Sequence, residues 1–190
     1  NPPAAIIAYE AIPHRPVELV DNHPLLPRLL NTSGVTESGD MVDARFVLCG
    51  NDDVLASFVA ADRASPLYRN SVADELVFVH EGTGMLETTF GELEVGSGDY
   101  VLVPKGVTHR WLPKPALRAL VFETAGHVRP PDHYLSKQGQ YLQIAPYSEL
   151  DIRRPAGPLI CEGRNVDVVV RGRSGLTRYT YEPHPFDVVG

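Results

Sequence analysis

The run from 74 to 111 constrains this chain most. Short stretches rich in β-branched and aromatic residues alternate there with glycine at close intervals. Glycine accepts the positive φ of tight hairpin turns, and the residues between suit a pleated sheet. The pattern predicts strands over 75–81, 85–89, 92–95, 100–103 and 107–111. The predicted turns are Gly82-Thr83-Gly84, Phe90-Gly91, Gly96-Ser97-Gly98-Asp99 and Pro104-Lys105-Gly106. A helix has no room to start in such a run.

The order Glu, glycine hairpin, Gly-Asp, apolar strand, Pro-x-Gly-x-x-His resembles the two motifs of a cupin barrel. Metal-binding cupins supply His-x-His and then Glu from the first motif, and a last His from the second. Glu75 and His109 stand at the Glu and final His positions. Tyr68 and Asn70 stand where the paired histidines would be. The resemblance implies an all-β, jelly-roll type barrel that has lost half of a metal site, with long proline-rich loops and additional C-terminal strands.

Hairpin-forming runs at 45–49 and 54–60 flank Gly50-Asn51-Asp52-Asp53, and 117–124 reads as a buried strand after a turn at Pro113-Lys114-Pro115. Eight or nine strands are expected between 44 and 124. Seventeen prolines and sixteen glycines favour such short elements over helices. Residues 1–43 hold six prolines and read as an extended arm, with Leu25-Leu26 and Leu29-Leu30 packing on a surface groove. Residues 125–190 read as a wrap-around segment followed by strands at 159–162, 166–171 and 176–181. The chain lacks an initiator methionine and ends on the apolar Phe186-Asp187-Val188-Val189-Gly190. Both ends read as cut, which predicts a missing C-terminal half.

Composition excludes some functions. A net charge of −7 argues against a phosphate-backbone binder, so no nucleic acid partner is expected. No apolar run approaches the ~18 residues of a membrane helix, so no membrane contact is expected. Cys49 and Cys161 make no disulfide or metal framework and read as buried thiols of a cytoplasmic protein.

Residues two apart on a strand share a face. Glu75 therefore faces with Val77 and Val79, while His80 faces away as a strand-end residue. Tyr68 pairs with Asn70, and His109 with Trp111. A pocket lined by Tyr68, Asn70, Glu75 and His109 follows. Two good donors are fewer than the three or more that a stable metal site uses, so no metal is expected here. Glu75 and His109 are the candidate ligands were one to bind. The structural alternative is a polar cluster in which those two satisfy each other. Asp52, Asp53, Asp62, Glu92 and Glu94 read as solvated charges, and His14, His23, His127 and His133 as surface residues.

Longer stretches carry a closer resemblance. Pro66-Leu67-Tyr68-Arg69-Asn70, the run 74–84, Leu86-Glu87-Thr88 with Phe90-Gly91, Gly98-Asp99-Tyr100, Arg118-Ala119-Leu120, and Tyr179-Thr180-Tyr181 with the 184–190 run HPFDVVG resemble homogentisate 1,2-dioxygenase of the bacterial type. The resemblance spans about 45–190. It implies an Fe(II) enzyme of tyrosine and phenylalanine breakdown that opens homogentisate with O2 to give maleylacetoacetate. It implies homo-oligomers, trimers or hexamers, with small aromatic acid and O2 as reactants. The family's iron lies in the second half, so no catalytic residue is expected in this chain. This half is expected to be structural and inactive alone. The alternatives are a stand-alone, non-catalytic cupin that binds a small molecule in its barrel, and a metal-dependent enzyme using Glu75 and His109.

Overall fold

A computed structural model describes residues 5–14, 17–36 and 38–187. Ten strands are present among them: β1 (Ala5–Ile12), β2 (Phe46–Gly50), β3 (Val54–Ala61), β4 (Leu67–Asn70), β5 (Asp74–Thr88), β6 (Gly91–Gly96), β7 (Tyr100–Val103), β8 (His109–Thr124), β9 (Val166–Gly172) and β10 (Gly175–Glu182). Two single turns of 3-10 helix, Asp132–Tyr134 and Glu149–Asp151, interrupt the coil after β8. The architecture is all-β, a jelly-roll type barrel.

The antiparallel pair β5–β8 is the spine of the barrel. Its pairing extends from Asp74↔Thr124 to Thr88↔His109. On its other edge β8 carries β3 along 117–124 and touches β4 at Tyr68↔His109. β2 extends β3, while β6 and β7 both pair with β5. β4 then pairs in parallel with β9, which leads through β10 to β1. Side chains at 109, 111, 117, 119, 121 and 123 of β8 are buried, every one at an odd position. That is the alternation expected of a strand with one face on a core.

Two predicted turns are absent. Gly82-Thr83-Gly84 lies within β5, and Pro113-Lys114-Pro115 lies within β8. Both mark the place where the long pair bends. The register shifts between Val79 and Glu81 and again between Gly82 and Gly84. Inward positions on β5 change there from odd (75, 77, 79) to even (84, 86, 88). A bulge of this kind bends the strand and keeps the apolar set inside on both sides of the bend. Gly82 makes it possible: its φ is +92°, and a Cβ there would lie 2.1 Å from the Ala116 carbonyl oxygen. Merging these pieces leaves seven strands between 44 and 124 instead of eight or nine.

Other expectations are corrected as well. The proline-rich arm contains a strand, because β1 pairs with β10. Its prolines flank that strand and do not interrupt it. The leucine pairs do not pack: Leu25, Leu26, Leu29 and Leu30 are all exposed, Leu29 at 95%. No strand forms at 159–162. His80 is exposed, Cys49 is exposed and Cys161 half-buried, and both cysteines are free. Within the HPFDVVG run, His184 and Phe186 are buried, and residues 188–190 lie outside the described residues.

Two apolar cores result. The larger fills the barrel with Val59, Val77, Val79, Leu86, Trp111, Leu117, Ala119 and Val121. The smaller joins Leu67, Val168, Tyr181 and Phe186, so that β9, β10 and the final turn are packed onto β4. Asp74 pins the surrounding loops. Its carboxylate accepts from the backbone N–H of Lys105 (2.9 Å) and of Val128 (3.0 Å), which ties the second motif and the wrap to the start of β5.

Candidate functional site

One end of the barrel interior is charged. Near the start of β5, Glu75 points inward, and Glu123 lies directly opposite on β8. Both are buried. Like charges facing across a sheet destabilise it unless cations intervene. Two do. Arg45, just before β2, donates from Nη1 to Glu75 Oε1 (2.9 Å) and from Nη2 to Oε2 (3.0 Å). The same Nη1 lies 3.3 Å from Glu123 Oε1. Arg171, near the end of β9, donates to Glu123 Oε1. A planar guanidinium matches a carboxylate with two parallel hydrogen bonds, a pairing that lysine cannot make.

Asn70 links the two carboxylates. Its Nδ2 donates to Glu75 Oε1 (3.0 Å) and to Glu123 Oε1 (2.9 Å). Its Oδ1 accepts from the backbone N–H of Val72 and Ala73. An aspartate at this position would put a third carboxylate beside the other two. The Tyr68 and His109 rings meet in a T-shaped contact, 5.5 Å between centroids, and the Tyr68 ring centroid lies 5.7 Å from the Arg45 guanidinium carbon.

His109 is fully buried. Its Nδ1 lies 3.1 Å from the Val107 carbonyl oxygen. A carbonyl only accepts, so Nδ1 carries the proton and Nε2 is left with its lone pair. That Nε2 has no hydrogen-bond partner among the described residues, and it points toward Glu75 Oε2 at 3.8 Å.

Ionisation follows the geometry. Burial would raise the Glu75 carboxyl, but the Arg45 charge and hydrogen bonds win and bring it down to about 2. Burial would also pull Arg45 down, yet Glu75 and Glu123 hold it above the ordinary arginine range. His109 is shifted down, chiefly by burial, and is neutral at pH 7. Burial first, then the nearby Glu75 carboxylate, raises Tyr68, which keeps its phenolic proton.

The structure thus brings Tyr68, Asn70, Glu75 and His109 together, in a closed, packed cluster. Glu75 is not satisfied by His109; its partner is Arg45. The sequence reading missed Arg45, Glu123 and Arg171. Glu123 had a signal, because it shares parity with Leu117, Ala119 and Val121, which makes it a charge on an apolar face. Arg45 and Arg171 had none. Among the described residues no group of three or more His, Cys, Asp or Glu side chains is arranged to hold a metal. The residues therefore do not fit a metal as they stand, since a guanidinium occupies the space between them. A cavity of about 650 Å³ opens outside this cluster. Glu123, Arg171, Val72, Ala73 and Leu176 line it, and none of Tyr68, Asn70, Glu75 and His109 does. No described helix is long and apolar enough to cross a membrane.

Motif order and strand topology together define a cupin-fold protein. The chain is 31% identical over 163 residues to a protein of Saccharolobus solfataricus named "Putative dioxygenase SSO1533", covering 85% of this chain and 42% of that one. The chain thus spans less than half the length of this curated relative. No family model matches. Among solved structures, a cupin-2 domain containing protein from Shewanella frigidimarina overlaps 42% of this chain and 78% of its own, at 21% identity and a TM-score of 0.40. KdgF from a Halomonas species overlaps 47% of this chain and 81% of its own, at 18% identity and a TM-score of 0.40. The fold assignment stands on the strand order above, not on these partial overlaps.

Proposed function

We propose that this chain is the structural, N-terminal part of an Fe(II)-dependent ring-cleaving dioxygenase. The proposed reaction converts homogentisate and O2 to maleylacetoacetate in tyrosine and phenylalanine breakdown. The iron and the catalytic residues belong to a further part of the polypeptide. The whole protein acts on a small aromatic acid in the cytoplasm as a homo-oligomer, a trimer or hexamer.

One observation carries the division of labour. Glu75 stands where a cupin motif would place a metal ligand, and both of its oxygens are taken by Arg45. The dioxygenase name of the relative, and its greater length, support an oxygenase activity in a longer polypeptide; homogentisate, iron and the oligomer rest on the motif resemblance alone. In this reading the barrel contributes rigidity. The carboxylates at its charged end are paired with guanidinium groups, and its apolar core fixes the wall on which β9, β10 and the final turn are packed.

The test compares residues 1–190 with a polypeptide extended to the length of the relative. We expect stoichiometric iron and homogentisate-dependent O2 uptake from the longer protein and neither from the shorter. Turnover by the 190-residue chain would reject the proposal. The cavity of about 650 Å³ supports a second reading, a non-catalytic cupin that binds a small molecule. Saturable binding of an aromatic acid by the 190-residue chain, with no O2 uptake at either length, would favour it.

A further inference from the structure

The failure of the barrel interior to fit a metal has a specific cause. We infer that Arg45 is the barrel's resident cation: its guanidinium occupies and closes a latent metal site formed by Glu75, Glu123 and His109.

Three features support this. The two carboxylates are buried on facing strands, and both Oε1 atoms lie within 3.3 Å of the same guanidinium nitrogen. Two buried negative charges that close demand positive partners; Arg171 meets Glu123 from one side, and Arg45 is the cation that lies between the two. Next, His109 is preset as a ligand. Its Nδ1 proton is held by a backbone carbonyl, which is how metal-binding histidines are commonly oriented, and its Nε2 lone pair faces inward without a partner. An orphaned buried nitrogen is uncommon in a satisfied core. Last, His109 Nε2 and Glu75 Oε2 are 3.8 Å apart. Two ligands at ~2.1 Å from one metal need only a small closure from that separation. One imidazole and two carboxylates suit a divalent transition ion.

The guanidinium therefore does the electrostatic work of the metal without its chemistry. It neutralises the carboxylates, and it has no open coordination position for substrate or O2. This inference shares the Arg45–Glu75 pairing with the proposal above but needs no oxygenase activity: absence of ring cleavage at either length would leave it standing, whereas ion uptake by the wild-type barrel would count against both.

The test uses the 190-residue chain with Co2+ or Zn2+ after chelation and dialysis. Wild type is expected to take up no ion inside the barrel. Arg45→Ala is expected to bind one Co2+ per chain with a ligand-field absorption spectrum. Its Tm should rise by roughly 5–10 °C at a Zn2+ concentration about a hundred times Kd. Adding His109→Ala should abolish both signals, which separates this site from surface histidines. Arg45→Lys, which keeps a charge in place, should still exclude the ion. If Arg45→Ala alone does not fold, Arg45→Ala/Glu123→Gln removes one charge of each sign and keeps Glu75 and His109. It should bind Co2+ more weakly with the same His109 dependence. Folded Arg45→Ala, or the double variant in its place, taking up no His109-dependent ion at millimolar Co2+ would overturn the inference. So would stoichiometric, His109-dependent uptake by wild type.

Discussion

The two ends of the barrel interior share the β5–β8 pair and are built in opposite chemical styles. At one end Val79, Leu86, Trp111 and Leu117 meet by shape alone. At the other, Arg45, Glu75, Asn70, Glu123 and Arg171 meet by charge and hydrogen bonds. The apolar four, and Glu75 and Glu123 with them, are buried by the same alternation on β5 and β8, while Asn70 comes from β4, Arg171 from β9 and Arg45 from the residue before β2. The apolar end tolerates a change of partner, because dispersion and transfer are non-directional. The charged end does not. Each group there was taken out of water on condition that a specific partner waits for it.

That contrast can be broken most forcefully at Arg45. With EDTA present, Arg45→Ala should cost about 3–5 kcal/mol, because it leaves the Glu75 carboxylate buried and uncompensated. The urea midpoint measures it. A loss under ~1 kcal/mol would mean that water reaches the cluster and that the two ends are not so different.

Acid provides a second, graded probe, with a worked sign. The folded pKa of His109 lies below its ordinary value of 6.5, so the unfolded chain takes up a proton first as pH falls. Stability should therefore be full above pH 6.5 and decline below it, toward the folded pKa. The same sign holds for Glu75, folded at about 2 against an ordinary 4.5, in the separate window between those values. Urea midpoints from pH 7.5 to 5 should fall in wild type and stay flatter in His109→Phe. Equal slopes would remove His109 from the account.

The smallest effect should come from changing style altogether. Arg45→Met with Glu75→Leu removes one charge of each sign and leaves Glu123 paired with Arg171 and Asn70. Buried ion pairs often exchange for apolar residues at little cost. The double variant should stay within about 1 kcal/mol of wild type by urea unfolding, although Arg45→Ala alone is severe. That sharpens the comparison, since it would show that the charged end is costly to break and cheap to replace.

The chain's own residues fixed much of this protein. Glycine spacing and β-branched runs dictated short strands, the cupin-like motif order implied the barrel, and strand parity placed Glu75, Val77 and Val79 inside with His80 outside, as found. The same parity marked Tyr68, Asn70 and His109 as inward neighbours. What parity could not report was the partner. Arg45 lies 30 residues from Glu75 and Arg171 lies 48 from Glu123, and no local pattern links them. Glycine and proline were also ambiguous. The signals that end strands elsewhere are used in β5 and β8 to bend one continuous pair, because the tertiary packing supplies bonds across the bulge that no isolated turn would have. Local chemistry decides which face of a strand is dry, being a property of residues two apart. Only the closed barrel decides which distant charge fills that dry space, because pairing across it depends on where separate strands come to rest.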